Sequence, residues 1–363
     1  MTSHSPLPPL STIGILGGGQ LGRMLAIAAA DMGYHVHIYC PEEDSPAAEV
    51  ARYCTVGTYN DIRKLKDFAK KLDVITYEFE NIPAEPIAII AEHVGIFPSP
   101  QILAVSQHRL LEKQTIKDMG VETTPFMAVS NLDDLQVAVS KLGLPSVLKT
   151  SKMGYDGKGQ VVLRLVDDIK QSWDRLASDE LILEAFVDFS MEISVIVARD
   201  MNGNVSCYQP VQNIHKHHIL HETIVPAPIS LELATDAENI ARKLAVGLDL
   251  VGLLAVEMFV TSDNKILVNE IAPRPHNSGH WTLDAAVTSQ FEQTIRAVCG
   301  LNLGSTDRLC KARMQNIIGD DINNWQRYSA QKNAKLHLYG KKETKLGRKM
   351  GHVTFLGQMT DDR

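Results

Sequence analysis

Residues 253–274 read LLAVEMFVTSDNKILVNEIAPR. Two runs rich in apolar and β-branched residues, Leu253 to Val260 and Ile266 to Ile271, flank Asp263-Asn264, the pattern of a β-hairpin. With Asp263-Asn264 as a two-residue loop, counting outward places Glu257 directly opposite Glu270. Opposed cross-strand residues have Cβ atoms roughly 4.5–5.5 Å apart, and like charges at that distance are destabilising unless something neutralises them. A divalent cation is the simplest neutraliser, and an oxygen-only ligand set selects magnesium or manganese. Asn269 points to the other face unless a bulge distorts the ladder. The plainer alternative is two solvated glutamates on an exposed face. Val256, Met258 and Val268, apolar on both parities of the hairpin, argue against it.

Working toward the N-terminus, a helical pattern spans Leu233 to Gly247, and short apolar strands are expected at Met191 to Ala198, Leu181 to Phe186 and Val161 to Leu165. Another strand, Leu144 to Lys149, follows the helical pattern of Arg109 to Gly120. The middle of the chain is therefore α+β. Further back, Thr12 to Leu16 is a short apolar run, Gly17-Gly18-Gly19 breaks it, and the Ala-rich segment Leu21 to Met32 ends at Gly33. That order is strand, tight turn, helix and C-cap. Strands at His35 to Tyr39 and Asp73 to Thr76, with an amphipathic stretch Ile62 to Leu72 before the latter, complete an α/β unit with a parallel sheet. It ends near Phe97-Pro98-Ser99-Pro100.

Two glycine loops point to phosphate. Gly17 to Gly22 fits G-x-G-x-x-G between a strand and a helix, and Glu42 or Glu43 stands at the distance of a ribose-binding acid, so a nicotinamide-dependent oxidoreductase competes. A tight connecting turn is the bland alternative; in any functional case the helix-start amides grip an anion. The second loop, Gly154 to Gln160, lacks the Walker A pattern. Its three glycines let backbone amides converge on a polyphosphate between Lys149 and Lys158. A flexible hairpin tip with solvated lysines is the alternative there.

The net charge of -7 supplies no global positive field for nucleic acid or an anionic membrane. Five cysteines without a C-x-x-C pair fit a reducing, cytoplasmic setting. No apolar run reaches the ~18 residues of a membrane helix, and the N-terminus does not resemble a signal peptide. His215, His217, His218 and His221 lack a familiar zinc spacing. The basic stretch Lys332 to Lys349 lacks interleaved aromatics, and Trp281 is expected to brace its loop.

Six motifs in order, GGGQLGRM, GYDGKGQ, EAFV at 184–187, QNIHK around His215, NEIAPRPHNSGHWT from Asn269 and the closing GRKMGH, are similar to those of the 5-(carboxyamino)imidazole ribonucleotide synthase family across nearly the whole chain. The resemblance implies a preATP-grasp Rossmann-like domain at residues 1–108, with residues 1–11 a flexible tail. A two-lobed ATP-grasp domain at 109–300, its mobile lobe about 121–186, and a small β-rich C-terminal domain at 301–363 would follow, usually in a homodimer. The chain stops soon after Gly351-His352, earlier than relatives do, so a reduced last element is expected.

The activity implied is ATP-dependent carboxylation of 5-aminoimidazole ribonucleotide with bicarbonate, through carboxyphosphate, in de novo purine synthesis. ATP would lie between Arg109, Lys149, the loop Gly154, Tyr155, Asp156, Gly157, Lys158, Gly159, Gln160, and the segment Glu184, Ala185, Phe186, Val187. Glu184 and the Phe186-Val187 backbone would hold adenine, Glu192 the ribose, and His215 would approach the nucleotide. Magnesium (or manganese) would sit on Glu257 and Glu270, and Asn269 with Glu270 would also line the ATP site. Arg274, His276 and Asn277 would surround bicarbonate and carboxyphosphate. Gln20, Glu78, Tyr155 and Asp156 would touch the ribonucleotide, with Lys341 and Arg348 on its phosphate. Asp156, the one acid in the second glycine loop, is the candidate general base. Family members have arginine where this chain has Lys158, which exchanges a bidentate contact for a monodentate one. The rivals are the oxidoreductase, a non-catalytic nucleotide-binding protein, and the formate-dependent ligase acting on glycinamide ribonucleotide. The HNSGHWT and GRKMGH segments speak against the last.

Overall fold

The computed structural model describes residues 5–152, 159–176, 178 and 180–357. Strands Thr12–Leu16, His35–Cys40, Tyr53–Val56 and Val74–Tyr77 form a sheet in which every neighbouring pair is parallel. Parallel neighbours need crossovers, which helices Gln20–Asp31 and Ile62–Ala69 help to supply. Each packs an apolar stripe on the sheet, Leu21, Leu25 and Ala29 in one and Leu65 and Phe68 in the other. The tail expected to be flexible is pinned from Leu7 onward. Leu7 N–H donates to Cys299 O at 2.9 Å, Tyr34 Oη donates to Leu7 O at 2.9 Å, and Leu10 N–H donates to Gly33 O at 2.8 Å.

A second, antiparallel sheet has the order Phe126–Val129, Leu181–Ala185, Ser146–Thr150, Gln160–Leu163. Helices Leu132–Leu142 and Asp168–Leu176 bury Leu135, Ala138 and Ile169 against its Leu148, Leu181 and Leu183. Of the glycine loop between two of these strands, Gly154, Tyr155, Asp156, Gly157 and Lys158 lie outside the described residues; Gly159 and Gln160 lead into Gln160–Leu163.

The largest sheet is antiparallel. Ile266–Ala272 is its edge, followed by Gly252–Thr261, Phe189–Arg199, Val211–Lys216, Ile219–Val225, Ala312–Ile318, Lys349–Leu356 and Ala334–Leu338, with Val205–Cys207 paired to Phe189–Arg199. Alternate residues of its middle strand enter different cores. Val195 and Val197 pack with Ala237, Ala241 and Leu244 of helix Leu231–Gly247, whereas Ile196 and Ala198 pack with Tyr208 and Trp281. Both faces are thus covered, as apolar residues on both parities require, and each fully buried Leu, Ile or Val adds about 1.5–3 kcal/mol. The last motif, Gly347 to His352, runs into the eight-residue strand Lys349–Leu356, held between two others. Among the described residues no helix is long and apolar enough to cross a membrane.

Candidate active site

The hairpin presents its two acids by a route the sequence did not indicate. The loop is three residues, 262–264, closed by Thr261 and Lys265, with Asn264 at φ 60°. That is a turn ending in a left-handed residue, and the two-residue loop is corrected accordingly. Near the loop the register is shifted by one, pairing Val260 with Ile266 and Met258 with Val268. A bulge then leaves Asn269 unpaired and restores Glu257 opposite Glu270. Bulges re-aim side chains beside functional sites, and this one takes Asn269 out of the regular alternation of its strand.

Ile266–Ala272 is an edge strand, and helix Arg109–Asp118 satisfies its free groups beside the bulge. Glu112 Oε1 accepts from Ile271 N–H at 2.8 Å, and Lys113 Nζ donates to Asn269 O at 3.1 Å. Both side chains are buried. Lys113 also lies 3.6 Å from Glu184, whose carboxylate holds Lys149 Nζ at 2.9 Å. Burial would raise the Glu184 carboxyl, but Lys113 and Lys149 outweigh it and keep it ionised. Glu184 is therefore the anchor that aims Lys149. Burial and then Glu270 push Glu112 up to about 8. Neither Glu112 nor Lys113 was singled out in the sequence, since a helical Glu-Lys pair ordinarily faces water.

Glu257 and Glu270 meet different neighbours. His276 Nε2 lies 2.9 Å from Glu257 Oε1. Burial opposes ionisation of Glu257, yet His276, His215 and Arg274 together pull it down to about 2. Glu270 is raised by the crowded cleft walls and by the Glu257 charge, with Arg109, Lys149 and His276 acting against them. Its side chain nevertheless touches solvent, so of the two causes we give weight to the opposed carboxylate. Arg109 begins its helix where its N–H donates to Ser151 O at 2.9 Å. His215 is ion-paired with Glu192; burial lowers its pKa, and Glu192 more than reverses this. In the segment at 184–187, Phe186 N–H is already used by Pro145 O at 3.3 Å.

His276 is fixed from behind. Its Nδ1 accepts from Ser278 N–H at 3.3 Å and lies 2.8 Å from Ser278 Oγ. A backbone N–H only donates, so the ring offers its Nε2 proton to Glu257. Ser194 Oγ donates to Ser278 Oγ at 2.7 Å, Asn213 Nδ2 donates to Ser194 Oγ at 2.9 Å, and Thr223 Oγ1 donates to Asn213 Oδ1 at 3.3 Å. Gln290, fully buried, clamps the His276 backbone by accepting from its N–H at 2.9 Å and donating to its carbonyl at 2.8 Å. Next to it, both amide atoms of Asn277 are buried without a partner among the described residues. Arg274 forms a bidentate pair with Glu80, including Nη2 to Oε1 at 2.8 Å. The fork expected to face a planar oxyanion therefore carries a protein carboxylate, from a residue the sequence did not flag.

The first glycine loop holds an anion of its own. Glu78, just past strand Val74–Tyr77, accepts from Gly19 N–H at 2.9 Å and Gly22 N–H at 3.0 Å. The start of helix Gln20–Asp31, where a dinucleotide phosphate would sit, is occupied by this carboxylate, which removes the geometric basis for a nicotinamide enzyme. Gln20 is the first residue of that helix. Burial raises the Glu78 carboxyl, while these amides, Arg274 and Lys341 act to lower it. Lys341 donates to Lys349 O at 2.7 Å. Burial, helped by Arg348, lowers its pKa to about 8. Arg348 donates to Glu343 O at 2.9 Å and remains half-buried. Arg274, acting on both Glu78 and Glu270, joins this basic end to the paired acids.

Three family models match the chain: a ribonucleotide synthetase preATP-grasp domain at 10–107, an ATP-grasp domain at 114–291 and a phosphoribosylaminoimidazole carboxylase C-terminal domain at 312–363. The chain is 49% identical to an N5-carboxyaminoimidazole ribonucleotide synthase of Brucella melitensis, covering 96% of this chain and 97% of that one. The chain belongs to the N5-carboxyaminoimidazole ribonucleotide synthase family. It is also 47% identical to a bifunctional purine synthesis protein purC/E of Dictyostelium discoideum over 96% of its own length, spanning 37% of that protein. Among solved structures, N5-carboxyaminoimidazole synthase of Aspergillus clavatus, in complex with ADP and 5-aminoimidazole ribonucleotide, superposes with a TM-score of 0.91 at 30% identity, covering 96% of this chain and 94% of that one. Family membership accords with the six motifs and sets aside the glycinamide ribonucleotide ligase.

Proposed function

We propose that the cleft around Glu257 and Glu270 binds ATP with magnesium or manganese, that bicarbonate is phosphorylated there to carboxyphosphate, and that the exocyclic amine of 5-aminoimidazole ribonucleotide is then carboxylated. The family's reaction is ATP-dependent formation of N5-carboxyaminoimidazole ribonucleotide in purine synthesis, and the chain is an ATP-grasp ligase. The observation that carries the detailed reading is the opposed pair of acids within reach of Arg109 and Lys149. The donor set fits a hard cation: two carboxylate groups, oxygen ligands only, one of them raised by the other's charge. When bound, the ion would neutralise charge on the phosphate oxygens.

The chain's own residues would do the rest by position. Lys149, aimed by Glu184, would meet a phosphoryl oxygen, and Glu192 with His215 would face the ribose. The Asn277 amide, with donors and an acceptor all unpartnered, would bind the carboxylate oxygens of bicarbonate beside His276. Arg274, oriented by Glu80, would add positive charge as that oxyanion forms. Gln20 and Glu78 would lie against the ribonucleotide, its phosphate between Lys341 and Arg348. Asp156 would act as base toward the amine; an Asp156→Asn chain with undiminished turnover would remove it from that role.

We propose the units 1–108, 109–300 and 301–363, and a homodimer. The free cysteines at 40, 54, 207, 299 and 310 fit a reducing cytoplasm. The deciding experiment is turnover with oxygen-18 bicarbonate. Label in inorganic phosphate, with ADP release requiring bicarbonate and 5-aminoimidazole ribonucleotide together, is the expected result; unlabelled phosphate would exclude carboxyphosphate.

A further inference from the structure

Outside this cleft, His280, His352 and His337 stack in a row. His280 and His352 have ring centroids 4.7 Å apart, and those of His352 and His337 are 4.6 Å apart with planes inclined by 17°. His337 and His352 are direct cross-strand partners in Ala334–Leu338 and Lys349–Leu356. Asp284, in the short helix Thr282–Ala285, reaches them from the central part of the chain, with Oδ2 2.9 Å from His337 Nε2. One ligand atom each of Asp284, His337 and His352 lies within 4.8 Å of the other two.

His352 makes the cluster more than an ion pair. Its Nδ1 engages Tyr339 Oη at 2.8 Å, and its Nε2 is buried with no hydrogen-bond partner among the described residues. A buried imidazole nitrogen without a partner is unfavourable, and a metal is one group that completes it.

We propose that Asp284, His337 and His352 bind one zinc-class divalent transition-metal ion, clipping the last two strands to the central part of the chain. Two imidazole nitrogens and one carboxylate suit zinc, cobalt or nickel, in contrast to the oxygen-only pair Glu257 and Glu270. Tyr339 orients His352 from the second nitrogen, the outer contact that ligating histidines ordinarily have. Bonds of ~2.0 Å place tetrahedral ligands about 3.3 Å apart, and an imidazole lone pair lies in its ring plane, so binding requires the near-parallel His337 and His352 rings to unstack as the site contracts. The movement falls on His337, whose side chain is 31% exposed.

The test uses the full chain, stripped of metal and without nucleotide, titrated with Co2+ while its visible absorption is followed. One Co2+ per chain, displaced by Zn2+ and accompanied by a higher Tm, is expected. Asp284→Asn and His337→Ala, both at partly exposed positions, should each weaken binding at least ten-fold and abolish the Tm increase, while Glu257→Gln/Glu270→Gln retains both. Absence of saturable binding, or binding unchanged in both Asp284→Asn and His337→Ala, would overturn the site.

Discussion

His276 Nε2 stands 2.9 Å from Glu257 Oε1 while its Nδ1 accepts from the backbone of Ser278. The proton of this imidazole is thus directed at an acid of the hairpin by a chain of hydroxyl and amide groups running back through Ser194 and Asn213 to Thr223. Removing a link leaves a buried donor or acceptor unmatched, at about 1–3 kcal/mol, and frees the ring to turn. Ser194→Ala, which removes only a buried hydroxyl of this relay, should lower kcat roughly ten-fold, the equivalent of about 1.4 kcal/mol, while leaving KM for ATP near wild type. Steady-state kinetics decide it: an unchanged kcat would show that the relay does not orient His276.

Glu257 and Glu270 carry the proposed metal between them. Glu257→Gln and Glu270→Gln each remove one anionic ligand while preserving shape. ADP formation should fall by on the order of a hundred-fold in either, as expected when a main electrostatic contributor is lost. Raising magnesium should recover part of the activity, because the remaining acid still binds. An Mg2+ titration of both variants checks this, and variants as active as wild type at low Mg2+ would refute the assignment.

Lys341, lowered to about 8 by burial and by Arg348, gives a functional pH dependence. Its charge is present below that value and lost above it. Since kcat/KM reports the free enzyme, the value for 5-aminoimidazole ribonucleotide should decline above pH 8 as the phosphate loses its cation. Lys341→Arg keeps its charge at any working pH and should move the decline upward. Identical alkaline limbs would mean that Lys341 does not meet the phosphate.

Glu112 makes a stability prediction whose sign is specific. Its carboxyl is raised to about 8 in the folded chain, first by burial and then by Glu270, against about 4.3 for an ordinary glutamate. Between these values the folded state holds a proton that the unfolded state has released, so this group's contribution to stability falls as pH rises through the window and levels above pH 8. Glu112→Gln removes that slope and still accepts from Ile271 N–H. Urea midpoints from pH 5 to 8 should be flatter for the variant; parallel curves would contradict the account.

What could be read from the sequence was what neighbours in the chain decide. The strand, turn and helix of Thr12 to Met32 were legible because glycines interrupt two apolar runs. The pairing of Glu257 with Glu270 was reached through two compensating errors, a loop one residue too short and a bulge left uncounted. That bulge is held by Glu112 and Lys113, which contact the hairpin from 159 and 156 positions away. Nothing local could reveal it. The same holds for Glu80 and Arg274, separated by 194 positions, and for the histidine row, which only the folded sheet assembles. The histidines that were conspicuous in sequence, His215 to His221, instead serve Glu192 and the ends of two strands.

The first glycine loop shows how a motif can be legible as geometry while the group it holds is not: the competing dinucleotide phosphate gives way to Glu78. Gly17 has φ +122°, and a Cβ there would overlap Glu78 Cγ; one at Gly19 would overlap Glu78 Oε1. The glycines make room for a carboxylate of the same chain. Gly17→Ala should therefore destabilise the fold by about 1–3 kcal/mol, the range for a side chain forced into such backbone, and expel Glu78 from the helix start. Glu78→Ala leaves the backbone unstrained and should lose less stability, because the exposed amides can take water or an anion. Thermal unfolding of the two variants separates these effects. If Gly17→Ala melted at or above the temperature of Glu78→Ala, the loop would not be shaped around Glu78.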